Sequence, residues 1–263
     1  MSILEAIILG IIEGFTEFLP ISSTAHITLA SSVLGIAETD FLKTFMIAIQ
    51  LGAILPVAFL YFKKYRWNTA VHSRVFAAFL PTALIGFGLY SIVKGYFLGN
   101  IPLLLWTLGL GGAVMIVFEY FFGKRAGSLV SGEAPLEIPA AISHKKAFII
   151  GCCQALAIVP GVSRSAATIL GGLVLGINRI TIIEFTFLLA VPTMLAATGY
   201  DILKNYELIN SLTFSPLLAG FITSLIFAQL SITLLLSLVR KYSFTPFGVY
   251  RIAIALLFLV WLF

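Results

Sequence analysis

The stretch ILEAIILGIIEGFTEFLPISSTAHITLASSVLG, residues 3–35, decides the fold, because it starts as a membrane span and does not finish as one. Ile3–Leu19 is largely apolar, yet it carries Glu13 and Glu17 and stops at Pro20. Small hydroxyl residues follow (Ser22, Ser23, Thr24), then a short apolar segment, Ala25–Leu34, which ends at Gly35. A second stretch, AFIIGCCQALAIVPGVSRSAATILGGLVLG at 147–176, repeats this plan. Ala147–Val159 is too short to cross and stops at Pro160-Gly161; Ser163-Arg164-Ser165 follow, and Ala166–Leu175 runs to Gly176. Half-helix, break, half-helix at corresponding places in two halves of a chain predicts re-entrant hairpins at an internal repeat.

The rest of the chain supplies complete spans. Of its 263 residues 60% are hydrophobic and only 10% charged, against about 25% charged in soluble domains. Six apolar blocks approach the ~20 residues needed to cross ~30 Å of hydrocarbon: Phe45–Phe62, Val75–Val93, Leu103–Phe122, Phe185–Tyr200, Leu217–Val239 and Phe247–Phe263. Landmarks recur in order: Thr44-Phe45 before Pro56 and Glu184-Phe185 before Pro192, then Pro81 and Pro216, then Ile101-Pro102 and Thr245-Pro246. Three spans per half is odd, so the second copy is inverted. The expected fold is an all-α polytopic membrane protein, an inverted-topology repeat in which each half is a re-entrant helical hairpin plus three transmembrane helices. It forms one transmembrane domain over 1–263, with repeat one at about 1–122, repeat two at about 147–263 and a cytoplasmic linker at about 123–146.

A net charge of +5 does not signal nucleic acid here, because the basic residues sit between spans. Lys63, Lys64, Arg66, Arg74, Lys124, Arg125, Lys145, Lys146, Arg179, Arg240 and Lys241 fall on one side; Lys43, Lys94 and Lys204 fall on the other. Eleven against three makes the first side cytoplasmic, and places both termini and the first hairpin outside. No basic n-region precedes a cleavage site, so no removable signal peptide is expected. Cys152 and Cys153 are adjacent and read as small packing residues, since two ligands make no zinc site.

The polar residues at the breaks carry the chemistry. Glu13 and Glu17 are four apart and share one helix face, where two carboxylates can hold a divalent cation or one can serve as general base. His26 falls in the first turn of the next half-helix, where the positive helix end disfavours an imidazolium, leaving it as nucleophile or base. Ser22, Ser23 and Thr24 stand at an N-cap. In the second hairpin the backbone N–H groups after Gly161, the Arg164 fork and the hydroxyls of Ser163, Ser165 and Thr168 form an anion clamp. Tips entering from opposite sides meet near the midplane, and together they hold the parts of a metal-assisted phosphatase for a lipid-borne diphosphate. Gln50, Gln154 and Glu184 read as supports, with Ser22 and Thr24; Arg251 as ion-paired or snorkelling; Asp201 and Lys204 as interfacial caps; Trp67, Trp106 and Trp261 as interface anchors. The rival from another class is a transporter or flippase of a polyprenyl phosphate lipid, since inverted repeats with broken helices also suit alternating access. A structural subunit would leave Arg164 and the carboxylates without a use.

Glu13-Gly14-Phe15-Thr16-Glu17-Phe18-Leu19-Pro20-Ile21-Ser22-Ser23-Thr24-Ala25-His26 closely resembles the EGxTEFLPxSSTGH signature of the undecaprenyl-diphosphate phosphatases, or bacitracin-resistance proteins. Residues 160–168, PGVSRSAAT, resemble their PGxSRSGAT motif, and Phe185–Pro192 and Pro246–Arg251 also look like family features. The resemblance runs essentially end to end. It implies release of inorganic phosphate from undecaprenyl diphosphate at the outer face of a bacterial plasma membrane, recycling the carrier for cell-wall synthesis. It also implies dependence on Mg2+ or Ca2+, catalytic roles for Glu13, Glu17, Ser23 and His26, and phosphate binding by Ser163, Arg164, Ser165 and Thr168. Ala25 and Ala166 depart from the usual glycines. The attacking group (Ser23, His26 or a metal-bound water) stays open at this point, as does oligomeric state, a homodimer included.

Overall fold

The computed structural model describes residues 1–128, 139–241 and 243–262, and its described elements are helical. In chain order they are α1 (Ile3–Thr16), α2 (Ser23–Val33), α3 (Asp40–Tyr65), α4 (Thr69–Ile92), α5 (Ile101–Ser128), α6 (His144–Ala155), α7 (Arg164–Val174), α8 (Arg179–Lys204), α9 (Ser211–Lys241) and α10 (Thr245–Leu262). Six of them, α3, α4, α5, α8, α9 and α10, are long and apolar enough to cross a membrane. The chain is a multi-pass membrane protein.

The breaks fall where the sequence puts them, and the local chemistry is visible. Ser2 and Glu5 form a capping box that starts α1. After Pro20 the chain turns through Ser22, whose φ of 72° is unusual for a residue with a Cβ, and α2 begins. Ser163 repeats the device with a φ of 71°, its hydroxyl capping α7 through the Ala166 N–H. Gly35 (φ 67°) and Gly176 (φ 74°) then end the two short helices in the left-handed conformation that favours glycine.

The spans run longer than the apolar blocks. α3 and α8 extend through polar first and last turns, and Pro56, Pro81, Pro192 and Pro216 lie inside helices. The expected linker at 123–146 is shorter, because α5 continues to Ser128 and Lys145 and Lys146 belong to the first turn of α6. Its middle, 129–138, lies outside the described residues.

Burial sorts the bundle. The apolar windows of α3 and α8 are 61% and 50% enclosed, against 11–33% for the other four spans, so α3 and α8 form the centre. α1 lies along α9 and α6 along α4, while α5 pairs with α10. Close approach needs small residues: a Cβ at Gly10 would stand 2.5 Å from the Gly220 carbonyl, and one at Gly151 would strike the Ala78 backbone. Hydroxyls fasten neighbours to one another, as Ser224 does to the Ile49 carbonyl (2.7 Å) and Ser231 to that of Phe15 (2.8 Å). Leu84, Phe87, Leu110, Leu230 and Val260 are among the apolar side chains left facing outward.

One end of the bundle gathers the basic loops. Arg74 donates to the Ile142 carbonyl (3.2 Å), and Glu119 receives both Arg179 (3.5 Å) and the Phe244 N–H (3.1 Å). Trp67 is exposed at this end, and Trp106 and Trp261 are exposed on helix surfaces. At the opposite end two expectations change. Asp201 is not an interfacial cap: it is 1% exposed and receives Lys94 (2.6 Å) and Tyr90 (2.7 Å). Lys94, expected in a loop, sits in a π-helical turn at Val93–Phe97, holding α4 to α8 and to Thr44 of α3. Cys153 packs against Gly171, whereas Cys152 is exposed.

Candidate active site at the meeting of two helix breaks

Glu17 caps the C-terminus of α1 and Ser23 opens α2 six residues later, and the two side chains close on each other. The Ser23 hydroxyl donates to Glu17 Oε2 at 2.5 Å. Arg164, the first residue of α7, donates from Nη2 to Glu17 Oε1 at 2.8 Å and from Nη1 to the Thr186 carbonyl at 3.3 Å. One carboxylate thus joins a hydroxyl of the first break to a guanidinium of the second. Arg164 Nε has no hydrogen-bond partner among the described residues, so the fork keeps an unused donor.

These groups line a cavity of about 160 Å³. Its lining includes the acidic, hydroxyl and guanidinium groups of Glu17, Ser22, Ser23, Thr24, Ser163 and Arg164, the amides and hydroxyls of Gln50, Thr82, Gln154 and Thr193, and apolar Ile158, Met194 and Ala197. The two sequence motifs therefore meet in one chamber, although their residues lie 147 positions apart at the Arg164–Glu17 contact.

Four expected site residues lie beside the chamber, not on its wall. Glu13 is fully buried one turn before Glu17, and neither of its carboxylate oxygens has a hydrogen-bond partner among the described residues. Ser165 donates to the Leu19 carbonyl (3.1 Å), tying the second tip to the first. Thr168 donates to the Arg164 carbonyl (2.9 Å) and receives the Thr186 hydroxyl (2.9 Å), below the floor. His26 points the other way. Its Nδ1 is 2.7 Å from the Ser22 carbonyl, which only accepts, so Nδ1 carries a proton; Nε2 is 2.8 Å from the Tyr250 hydroxyl.

Sequence reading misses three residues and misjudges two. Tyr250 is stacked parallel to His26 and bonded to it, but the partners are 224 positions apart, and only the neighbouring Arg251 stands out in that segment. Thr82 and Thr193 look like ordinary helix threonines. Among the described residues Arg251 has no carboxylate partner, and it does not snorkel. It is 0% exposed, and its guanidinium donates to the backbone carbonyls of Pro20 (3.3 Å), Gly161 (2.6 Å), Val162 (3.2 Å), Leu108 (3.2 Å) and Thr107 (3.4 Å). Pro20 belongs to the first break, Gly161 and Val162 to the second. Broken helices expose carbonyls that a continuous helix would use, and those carbonyls are what this arginine found. Glu184, expected to support the hairpins, pairs instead with Lys64 at 2.5 Å.

Residues 6–257 match the family described as bacitracin resistance protein BacA. A protein of Persephonella marina is 48% identical, with 99% of each chain covered. One from Aquifex aeolicus is 44% identical over 97% of this chain and 96% of its own. One from Thermus thermophilus is 44% identical over 95% of this chain and 94% of its own. All three are named undecaprenyl-diphosphatase. Matched over nearly its whole length by relatives and by the family alike, the chain belongs to the bacitracin resistance protein BacA family.

Proposed function

We propose that the chain hydrolyses undecaprenyl diphosphate to undecaprenyl phosphate and inorganic phosphate, with Ser23 as nucleophile and Glu17 as its base. The carrying observation is the shared Glu17 carboxylate, one oxygen on the Ser23 hydroxyl and the other on Arg164. A nucleophile within hydrogen-bond reach of a base, facing a cationic fork, is an arrangement for phosphoryl transfer. A flippase has no need of it.

In the first step Ser23 Oγ attacks the terminal phosphorus, its proton passing to Glu17. The bond from phosphorus to the bridging oxygen breaks with its electron pair on that oxygen. The lipid monophosphate leaves with the proton Glu17 received. Arg164 turns from Glu17 to the phosphoryl oxygens, its free Nε–H adding a second prong. The N-terminus of α7, which Ser163 caps, contributes a positive helix end. Water then releases phosphate from the serine. His26 holds the Ser22 carbonyl, and so the turn that presents Ser23, while Tyr250 holds His26.

Glu13 and Glu17 are the groups that would hold Mg2+ or Ca2+. The partnerless Glu13 oxygens fit a hard cation, and no cluster of three His, Cys, Asp or Glu side chains suited to a metal occurs among the described residues. Such an ion would need its remaining ligands from hydroxyls, water or substrate oxygens. When bound, it supplies neutralisation of developing negative charge.

The fold behind this site is an inverted repeat of two re-entrant hairpins, each followed by three spans, with one half up to about 122 and the other from about 147. Three observations support it. Gly10, Ser22 and Gly35 correspond to Gly151, Ser163 and Gly176, each 141 residues later with matching backbone at the serines and terminal glycines. The packing of α1 on α9 is mirrored by α6 on α4. The central α3–α8 and lateral α5–α10 pairs map onto themselves. The basic end is cytoplasmic by charge, so the first hairpin and its catalytic groups serve the outer face.

Rapid acid quench with substrate labelled in the terminal phosphate tests the chemistry. Label on Ser23, absent in Ser23→Ala, is the expected result; label on His26, or full turnover by Ser23→Ala, overturns the assignment.

A further inference from the structure

The lining of the chamber has a group with a forced orientation. Gln154 of α6 is 1% exposed and faces Thr82 of α4 and Thr193 of α8. The Thr82 hydroxyl donates to the Gly151 carbonyl (3.0 Å) and the Thr193 hydroxyl to that of Leu189 (2.8 Å), so each offers Gln154 only a lone pair. Gln154 Nε2 donates to both, at 3.0 and 3.1 Å, which uses both of its protons. Reversing the amide would set its oxygen against two acceptors. Oε1 is therefore the free end, and it is buried with no hydrogen-bond partner among the described residues.

A buried amide oxygen of this kind needs a donor. The ionised terminal phosphate has only acceptor oxygens and would be repelled. Water brings two protons. We propose that Gln154 holds the water that hydrolyses the phosphoserine: Oε1 accepts one water hydrogen, and Glu17, which lines the same chamber, takes the second as a proton. The inference rests on Ser23 being the nucleophile. The water oxygen bonds to phosphorus, the bond from phosphorus to Ser23 Oγ breaks with its electron pair on Oγ, and the proton held by Glu17 passes to Oγ. Inorganic phosphate and the free serine result. Orienting an attacking water is an established use of glutamine in phosphoryl transfer.

Position 154 stands in the second hairpin where Glu13 stands in the first, since both precede their left-handed serines by nine residues. An amide keeps the shape of a carboxylate without its charge. A carboxylate at 154 would turn a second negative charge towards the phosphoryl group.

The test uses purified full-length protein turning over in the presence of methanol, which competes with water for the phosphoryl group. Methyl phosphate and inorganic phosphate are both measured, alongside acid-quenched label on Ser23. Loss of the water anchor in Gln154→Ala should slow phosphate release, raise the labelled Ser23 fraction and shift products several-fold towards methyl phosphate. Gln154→Met fills the same volume without an acceptor and should behave alike, which guards against a folding defect in the alanine variant. Labelled Ser23 with an unchanged product ratio in both variants overturns the water-holding role alone. No label on Ser23 in any variant overturns both this role and the covalent reading beneath it.

Discussion

Arg164 grips Glu17 at 2.8 Å, and on the proposed reading that carboxylate stands in for a phosphate oxygen. Arg164→Ala should reduce phosphate release by at least about 10²-fold, the scale of losing one preorganised donor. Arg164→Lys should recover little of it, because an ammonium offers a point charge in place of a planar fork. Phosphate release in detergent, beside a thermal melt showing a folded protein, checks both. Glu17→Gln should cost about 10²–10⁴-fold in turnover, the usual worth of a general base, at nearly constant shape. Ionisable side chains are conspicuous in apolar sequence, which makes Glu13, Glu17 and Arg164 legible from the chain alone. Tyr250 is not: a tyrosine near a helix start has many uses, and its partner lies at the far end of the chain.

Among elements, the two breaks are fastened to each other by side chains, several of which grip backbone: Ser165 donates to the Leu19 carbonyl, and Arg251 takes carbonyls from both breaks. Arg251→Met fills a similar space but leaves those carbonyls bare, and its melting midpoint and activity should fall together. Arg251→Lys should rescue neither fully, since one ammonium has three donors for five carbonyls. Gly151→Val should destabilise by about 1–3 kcal/mol, as overpacking does, because α6 and α4 touch at backbone there; a detergent melt reads the shift. The positions of both hairpins can be read from Pro20, Pro160-Gly161 and the terminal glycines, since breaks are local chemistry. Which helix each hairpin leans on cannot. Gly10 and Gly151 hint at close approach, but a sequence does not say to what.

At the scale of the molecule, the segregation of charge is a prediction about sidedness. Lys94 is half-buried and ion-paired to Asp201 and would be a poor reporter, so the probes belong at Asn100 and Lys145, which are exposed at opposite ends. With Cys152 and Cys153 replaced, a membrane-impermeant thiol reagent on intact cells should modify Asn100→Cys and spare Lys145→Cys. The reverse pattern would turn the protein over and put phosphate release in the cytoplasm. Six spans and a basic side are legible in the sequence because hydrophobicity and charge are summed quantities. The enclosure of α3 and α8 is not, since buried and lipid-facing helices are both apolar.

The guanidinium of Arg251 has a consequence for motion. Among the described residues it has no acidic partner; it donates chiefly to carbonyls, those of both breaks included. Rocking one half of the bundle against the other would pull those carbonyls away and strand a bare cation in hydrocarbon, where nothing solvates it. The seam is therefore a weld, not a hinge. On the proposed reading, substrate would then arrive and phosphate depart through one leaflet, and carrying the spent lipid back across would fall to a different machine.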